Sequence, residues 1–143
     1  MKIRITSTID TEAILASRGL GKSHEASKKL ASIVKKYCDP YVPFDTGIMK
    51  NTACIVDDGS GVFLVYNKPY AHYQYKGEIM GPNVLTKLGW RSMAKKGEKK
   101  YTGRPIDYHD APMRGKEWDK RMMADRGEDV ATALAAAIGG KRK

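Results

Sequence analysis

The residues that could do chemistry begin with Ala16-Ser17-Arg18-Gly19-Leu20-Gly21-Lys22-Ser23, a relaxed phosphate-loop pattern with Ala in place of the first Gly. In such a loop glycine-rich backbone cradles phosphates, Lys22 would reach the outer phosphate and Ser23 would ligate magnesium. Ala53-Cys54-Ile55-Val56-Asp57 has the form of the strand that would hold the metal. The context argues the other way. A nucleotide-binding core is usually a parallel sheet of several βαβ units, and this chain of 143 residues has neither the length nor the alternation for one. Gly19-Leu20-Gly21 therefore reads as a helix break followed by a Ser-type cap.

Asp57-Asp58, and Asp107 with Asp110, are the carboxylates that could hold the ions of a nuclease, since paired acids bind metals that activate water. In a Gly-Ser turn, however, Asp57-Asp58 is ordinary turn chemistry. His24, His72 and His109 lie far apart without metal-ligand spacing and read as surface or interface histidines. Cys38 and Cys54 form no C-x-x-C pair, and both are expected to be small buried hydrophobes. No nucleophile sits in a recognisable elbow. The chain thus reads as a non-enzyme, with no metal or cofactor expected. The last chemical set is basic: Lys95-Lys96, Lys99-Lys100, Arg104 and Arg114, with Tyr101 and Tyr108 between them. Cations that neutralise phosphates and aromatics that stack on bases make a nucleic-acid strip. The same residues also suit a solvated loop or a basic arm docking on an acidic neighbour.

The whole chain has Lys+Arg 26 against Asp+Glu 16, a formal net charge of +10. That sign suits nucleic acid, an anionic membrane or an acidic protein surface, and does not choose among them. The length predicts one domain over residues 1–143 that needs no disulfides. The N-terminal stretch Met1 to Thr6 is too short and polar for a signal peptide, and no apolar run approaches membrane-spanning length, so a cytoplasm-like compartment is expected.

The elements that must position these residues can be read in order. Lys2 to Thr8 alternates and predicts a half-buried strand. Asp10 caps a short helix through Ala16. A longer helix from Ser23 carries Glu25 early, Lys35-Lys36 late, and a core stripe of Ala26, Leu30, Ile33, Val34 and Tyr37. Pro40 and Pro43 force an extended path, and Asp45-Thr46-Gly47 closes a turn in which Asp45 accepts a backbone bond and Gly47 takes φ > 0. Thr52–Val56 and Val62–Tyr66 flank Asp57-Asp58-Gly59-Ser60-Gly61 and predict a hairpin, joined by the N-terminal strand. Pro69 suits the first turn of a short helix carrying Tyr70, Tyr73 and Gln74.

Residues 79–115 are dominated by Gly, Pro and Lys and are expected to form a long loop arm, with one or two helical turns over Leu85 to Lys96 around Leu88, Trp90 and Met93. A final helix is expected from about Lys116 to Ile138, with Trp118, Met122, Ala133, Leu134 and Ala137 inward and Gly127 as a breaking point. Residues 139–143 should be a frayed basic tail. The fold class is α+β: a small antiparallel sheet packed against a long helix and a C-terminal helix.

Two of these segments carry a resemblance. Tyr41-Val42-Pro43-Phe44-Asp45-Thr46-Gly47, then the hairpin, then Val65-Tyr66-Asn67-Lys68-Pro69-Tyr70-Ala71-His72-Tyr73-Gln74-Tyr75-Lys76-Gly77, resembles the minor capsid and tail-completion proteins of long-tailed bacteriophages. In that family a VP-x-DTG turn precedes a hairpin ending in an N-x-PYA-x-x-Q-Y-x-G segment. The match covers roughly a quarter of the chain, and the pair of motifs in this order is more specific than either alone. His72-Tyr73 stand where two arginines are usual and Lys76 where an aromatic is usual, which alters the surface charge of the short helix.

The resemblance implies Pro43, Asp45, Thr46, Gly47, Pro69, Tyr70, Ala71, Gln74, Tyr75 and Gly77 as the structural motif. It also implies a structural virion protein of the head-tail neck, assembled in host cytoplasm: a tail-completion or tail-terminator ring, usually a hexamer, that caps the tail tube and joins it to the head. The partners it implies are other copies of the chain, the tail tube protein and the head connector or stopper, with passive DNA contact in the channel and no membrane. A stopper ring nearer the portal, or a basic nucleic-acid-binding module, are the other readings. In a ring, the basic arm is expected to contact neighbouring protein, through Lys87, Trp90, Arg91, Lys95, Lys96, Lys99, Lys100, Tyr101, Arg104 and Arg114.

Overall fold

Val62-Phe63-Leu64-Val65-Tyr66 is apolar at every position, as a strand covered on both faces must be, and it forms the centre of the main sheet. In the computed structural model, which describes residues 1–4, 24–92 and 99–139, this strand (β3) pairs antiparallel with β1 (Lys2–Arg4) on one side and β2 (Ala53–Asp57) on the other. Ile3 faces Leu64 across one ladder and Ile55 faces Leu64 across the other. The expected short helix over Asp10–Ala16, the phosphate-loop-like stretch before Ser23, Lys95, Lys96 and most of the basic tail lie outside the described residues.

Helix α1 (Glu25–Cys38) lies against this sheet. Its inward positions are Ala26, Ala31, Val34 and Cys38, with Leu30, Ile33 and Tyr37 half-buried beside them. Lys35 reaches over the edge strand to donate to the Ala53 carbonyl at 2.6 Å. Along β2 the alternation turns Ala53 inward and Cys54 outward, so Cys54 is exposed and only Cys38 is a buried thiol. Both cysteines were expected inside; an edge strand covered on one face admits only every second residue.

The C-terminal helix α4 (Trp118–Ala137, numbered after α2 and α3 below) packs across α1. Its buried stripe is Trp118, Met122, Val130 and Leu134, recurring in steps of four. Between them the Arg126 guanidinium sits 5.1 Å from the Tyr37 ring. Ala133 is only half-buried and Ala137 is exposed, so Val130 replaces them on the inner face. Helix α4 runs unbroken through Gly127, because the packed residues on both sides outweigh the propensity cost of about 1 kcal/mol for a helical glycine.

The segment expected to be an irregular arm has strands of its own. β4 (Glu78–Gly81) pairs with β7 (Lys100–Pro105), and β5 (Asn83–Thr86) with β6 (Gly89–Ser92). Leu85 to Ser92 is therefore a hairpin rather than helical turns. Lys87-Leu88 is its two-residue loop, Gly89 takes φ 97°, and Thr86 Oγ1 accepts from Leu88 N at 3.3 Å and donates to Gly89 O at 2.7 Å.

At the β2–β3 turn Asp57 accepts from His24 Nδ1 (2.8 Å), Lys28 Nζ (3.0 Å) and the Gly59 amide (3.1 Å). Asp58 accepts from the Ser60 hydroxyl (2.6 Å) and amide (3.0 Å) and from Lys2 (3.2 Å). The His24 and Lys28 bonds hold the Asp57 carboxyl far below the usual aspartate range, and the Ser60 bond, assisted by Lys2, lowers Asp58 to about 2. A carboxyl whose pKa is depressed by folding stabilises above its unfolded value of about 4 and loses that contribution as pH falls through the folded value. Urea midpoints measured from roughly pH 5 to roughly pH 2 should therefore fall with acid. The Asp57→Asn/Asp58→Asn variant should fall less steeply over the same window, and an unchanged slope would refute the linkage.

Candidate functional site

Both motif segments fold locally for backbone reasons. After Tyr41 and Val42, which are buried in the core, the chain turns at Gly47 with φ 75° and enters the one-turn helix α2 (Ile48–Asn51), whose Asn51 N–H donates to Gly47 O at 3.0 Å. A Cβ at Gly47 would stand 2.8 Å from Phe44 Cε2, so the turn needs glycine for conformation and for space. Asp45 and Thr46 are exposed and make no hydrogen bond among the described residues. The expected side-chain closure by Asp45 gives way to closure through the glycine. Pro69-Tyr70 leads into α3 (Ala71–Lys76), which Gly77 ends with φ 79°, its N–H donating to Tyr73 O at 2.9 Å.

A strap over residues 106–117 ties these two segments together. Gly115 N donates to Tyr41 O (3.2 Å), Glu117 N to Tyr75 O (3.1 Å), Ile106 N to Gly77 O (2.9 Å) and Tyr108 OH to Gln74 O (2.5 Å). The Arg114 guanidinium donates to Asp39 O (3.1 Å) and Val42 O (2.6 Å), lies 5.2 Å from the Phe44 ring and pairs with Asp110 at 3.6 Å. Gly77 is buried under the strap, where a Cβ would stand 2.8 Å from Lys116 Cδ and 3.0 Å from Lys116 Cβ. Beneath the junction Trp118, fully buried, meets Tyr66 edge-on at 5.3 Å and Tyr75 at 5.0 Å.

Burial, followed by a hydrogen bond to Asp119, raises the Tyr75 phenol. Burial, with Asp119 nearby, pushes the Cys38 thiol up to about 12, so it stays protonated at neutral pH and is a packing residue.

The structure disperses the expected basic strip. Arg114, with its side chain only 17% exposed, is committed to backbone carbonyls. Tyr108 is half-buried against Gln74, and the half-buried Tyr101 lies against α3, 6.0 Å from the His72 ring with Lys76 Nζ 4.3 Å from its own ring centre. Lys76 occupies a face of the Tyr101 ring and the Tyr108 hydroxyl is held by Gln74 O, so both tyrosines are engaged within the fold. Lys99, Lys100 and Arg104 are exposed on or beside β7, Lys87 is at the hairpin tip, and Trp90 and Arg91 pair through their backbones with Leu85 and Val84.

Exposed apolar side chains cluster elsewhere. Leu85 (63%) and Leu88 (80%) mark the hairpin end, and Phe44 (38%), Ile48 (47%) and Met113 (52%) lie at or next to the strapped turn. Lys116, Glu117 and Asp119 join these segments without any local signal in the sequence, because they meet α3 only across some 40 intervening residues.

No family model, curated protein or solved structure matches this chain. Its fold class is α+β, with small antiparallel sheets and a C-terminal helix. Among the described residues no helix is long and apolar enough to cross a membrane.

Proposed function

We propose that the protein is a structural component of a bacteriophage head-tail connector, a tail-completion or tail-terminator ring that caps the tail tube and joins it to the head. The observation that carries the reading is the convergence of the two motif segments on one strap, with apolar side chains left uncovered at both ends of the arrangement. Phe44, Ile48 and Met113 flank the strapped turn, while Leu85 and Leu88 project at the end of the hairpin. Apolar side chains exposed on two different surfaces suit a heterologous contact, in which a projection of one copy docks on a different surface of the next and the rotation closes a ring. That role needs interfaces and no catalysis. Its partners are further copies of the chain, the tail tube protein and a head connector or stopper protein, in the virion neck.

Disabling the gene in its parent virus and imaging the lysate by negative-stain electron microscopy tests this reading. The expected result is DNA-filled heads beside separate tails, some overgrown or ragged at the upper end. Heads that fill and then leak beside intact tails would assign the stopper position instead. Wild-type particles would overturn the connector reading altogether.

A further inference from the structure

We infer that the cleft between β1, α3 and the start of α4 binds the phosphodiester backbone of nucleic acid. This open cleft of about 650 Å³ is lined by Arg4, Lys76 and Lys116, with His72 beside them. Three cations come from three distant parts of the chain, at residues 4, 76 and 116, and only the fold brings them to one groove. The Lys116 stem packs across Gly77, the residue after Lys76, which has no side chain to block it. Among the described residues none of the three cations has a carboxylate within 4 Å.

Two of the other charges in the cleft are paired, Lys2 with Asp58 at 3.2 Å and Glu117 with Lys120 at 2.5 Å. Asp119 accepts from the Tyr75 hydroxyl, a neutral donor that leaves its formal charge in place, and the three cations outnumber it. What remains is a net positive charge in a concave surface, where low-dielectric walls concentrate the field.

The ligand class follows from how the cations are held. A small discrete anion needs several converging, buried donors. Here Lys76 and Arg4 are exposed and rest on ring faces, Lys76 over Tyr101 at 4.3 Å and Arg4 5.6 Å from Phe63, so the cations are spaced along an open groove. That arrangement suits an extended polyanion that presents a charge to each cation in turn. The cleft is lined by residues other than those of the basic arm, which meets it where Tyr101 lies under Lys76, and the inference does not rest on the connector reading.

The test uses the full chain, a fluorescent random-sequence DNA duplex and anisotropy measured across a salt series, with circular dichroism as the check on folding. Arg4→Gln/Lys76→Gln/Lys116→Gln should weaken binding by more than about tenfold at moderate salt and lower the slope of log affinity against log salt by about 2.7, or 0.9 per lost phosphate contact. Lys87→Gln/Lys99→Gln/Lys100→Gln removes the same charge from the arm and should leave most of the affinity in place. Equal losses in the two variants would mean that only net charge matters, and a larger loss in the arm variant would restore the arm as the contact. Either result overturns the inference, as does a wild-type chain that does not bind the duplex. Polyglutamate that displaces DNA from the wild type and loses affinity to the same degree in the cleft variant would assign the groove to an acidic polypeptide. If the cleft variant fails to fold, amide shifts on the wild type titrated with duplex decide: changes centred on residues 4, 76 and 116 support the cleft, and changes confined to 87–104 refute it.

Discussion

Replacing Trp118 with alanine should cost the fold about 3–5 kcal/mol, the range for truncating a large aromatic in a packed core. The side chain is fully buried and stands at the junction of the elements that matter most: Tyr66 belongs to the central strand, Tyr75 to α3, and Trp118 itself opens α4. Each edge-on ring pair adds about 0.5–1.5 kcal/mol beyond the area buried. A domain of this size has about 5–15 kcal/mol in total, so the variant should be partly unfolded at room temperature or melt far below the wild type. Trp118→Phe separates packing from hydrogen bonding. It keeps an aromatic ring between the tyrosines and removes only the indole Nε1–H beside the Tyr66 hydroxyl, a contact worth at most about 0.5–1.5 kcal/mol, so its cost should be well under that of alanine. Urea denaturation followed by circular dichroism measures both, and a wild-type midpoint for Trp118→Ala would refute the keystone role of this residue.

The elements legible in the sequence were those whose signal is local. β3 is a continuous apolar run, the β2–β3 turn is written in Asp, Gly and Ser, and α1 repeats its apolar positions at helical spacing. Gly47 was readable as a position of positive φ, whereas the positive φ of Gly77 and the close approach of Phe44 and Lys116 that forbids a Cβ at either glycine were not. The arm misled because Leu88, Trp90 and Met93 read as the apolar residues of one or two helical turns. The decisive marks were punctuation, Pro82 before β5 and Gly89 after a two-residue loop, which fix a hairpin whatever the apolar spacing. The β4–β7 pairing spans some 20 residues and has no local signature, and the cleft unites residues 4, 76 and 116 only through tertiary structure. Cys54 was within reach: Ala53 and Ile55 facing inward require Cys54 to face out.

Arg114 is the residue whose charge misled most, and its replacement makes the second large prediction. In a basic sequence it is indistinguishable from its solvent-facing neighbours, yet its guanidinium bridges the carbonyls of Asp39 and Val42, at the start of the strapped turn, from a strap more than 70 residues away. Removing it leaves two partly buried acceptors without their donor, at about 1–3 kcal/mol each, so Arg114→Met should destabilise by about 2–4 kcal/mol despite the apolar volume it supplies.

Arg114→Lys keeps the charge but loses the rigid guanidinium that holds Nη1 between the two carbonyl oxygens while Nε faces Asp110, and should recover only part of that loss. A residue that served only to contact phosphate would behave in the opposite way. Its methionine variant would melt like the wild type, and its lysine variant would bind DNA nearly as well. Urea midpoints for the two variants therefore separate a clamp from a ligand contact. A loss in Arg114→Met that Arg114→Lys only partly repairs supports the clamp, and an unchanged midpoint in Arg114→Met would return Arg114 to the basic surface.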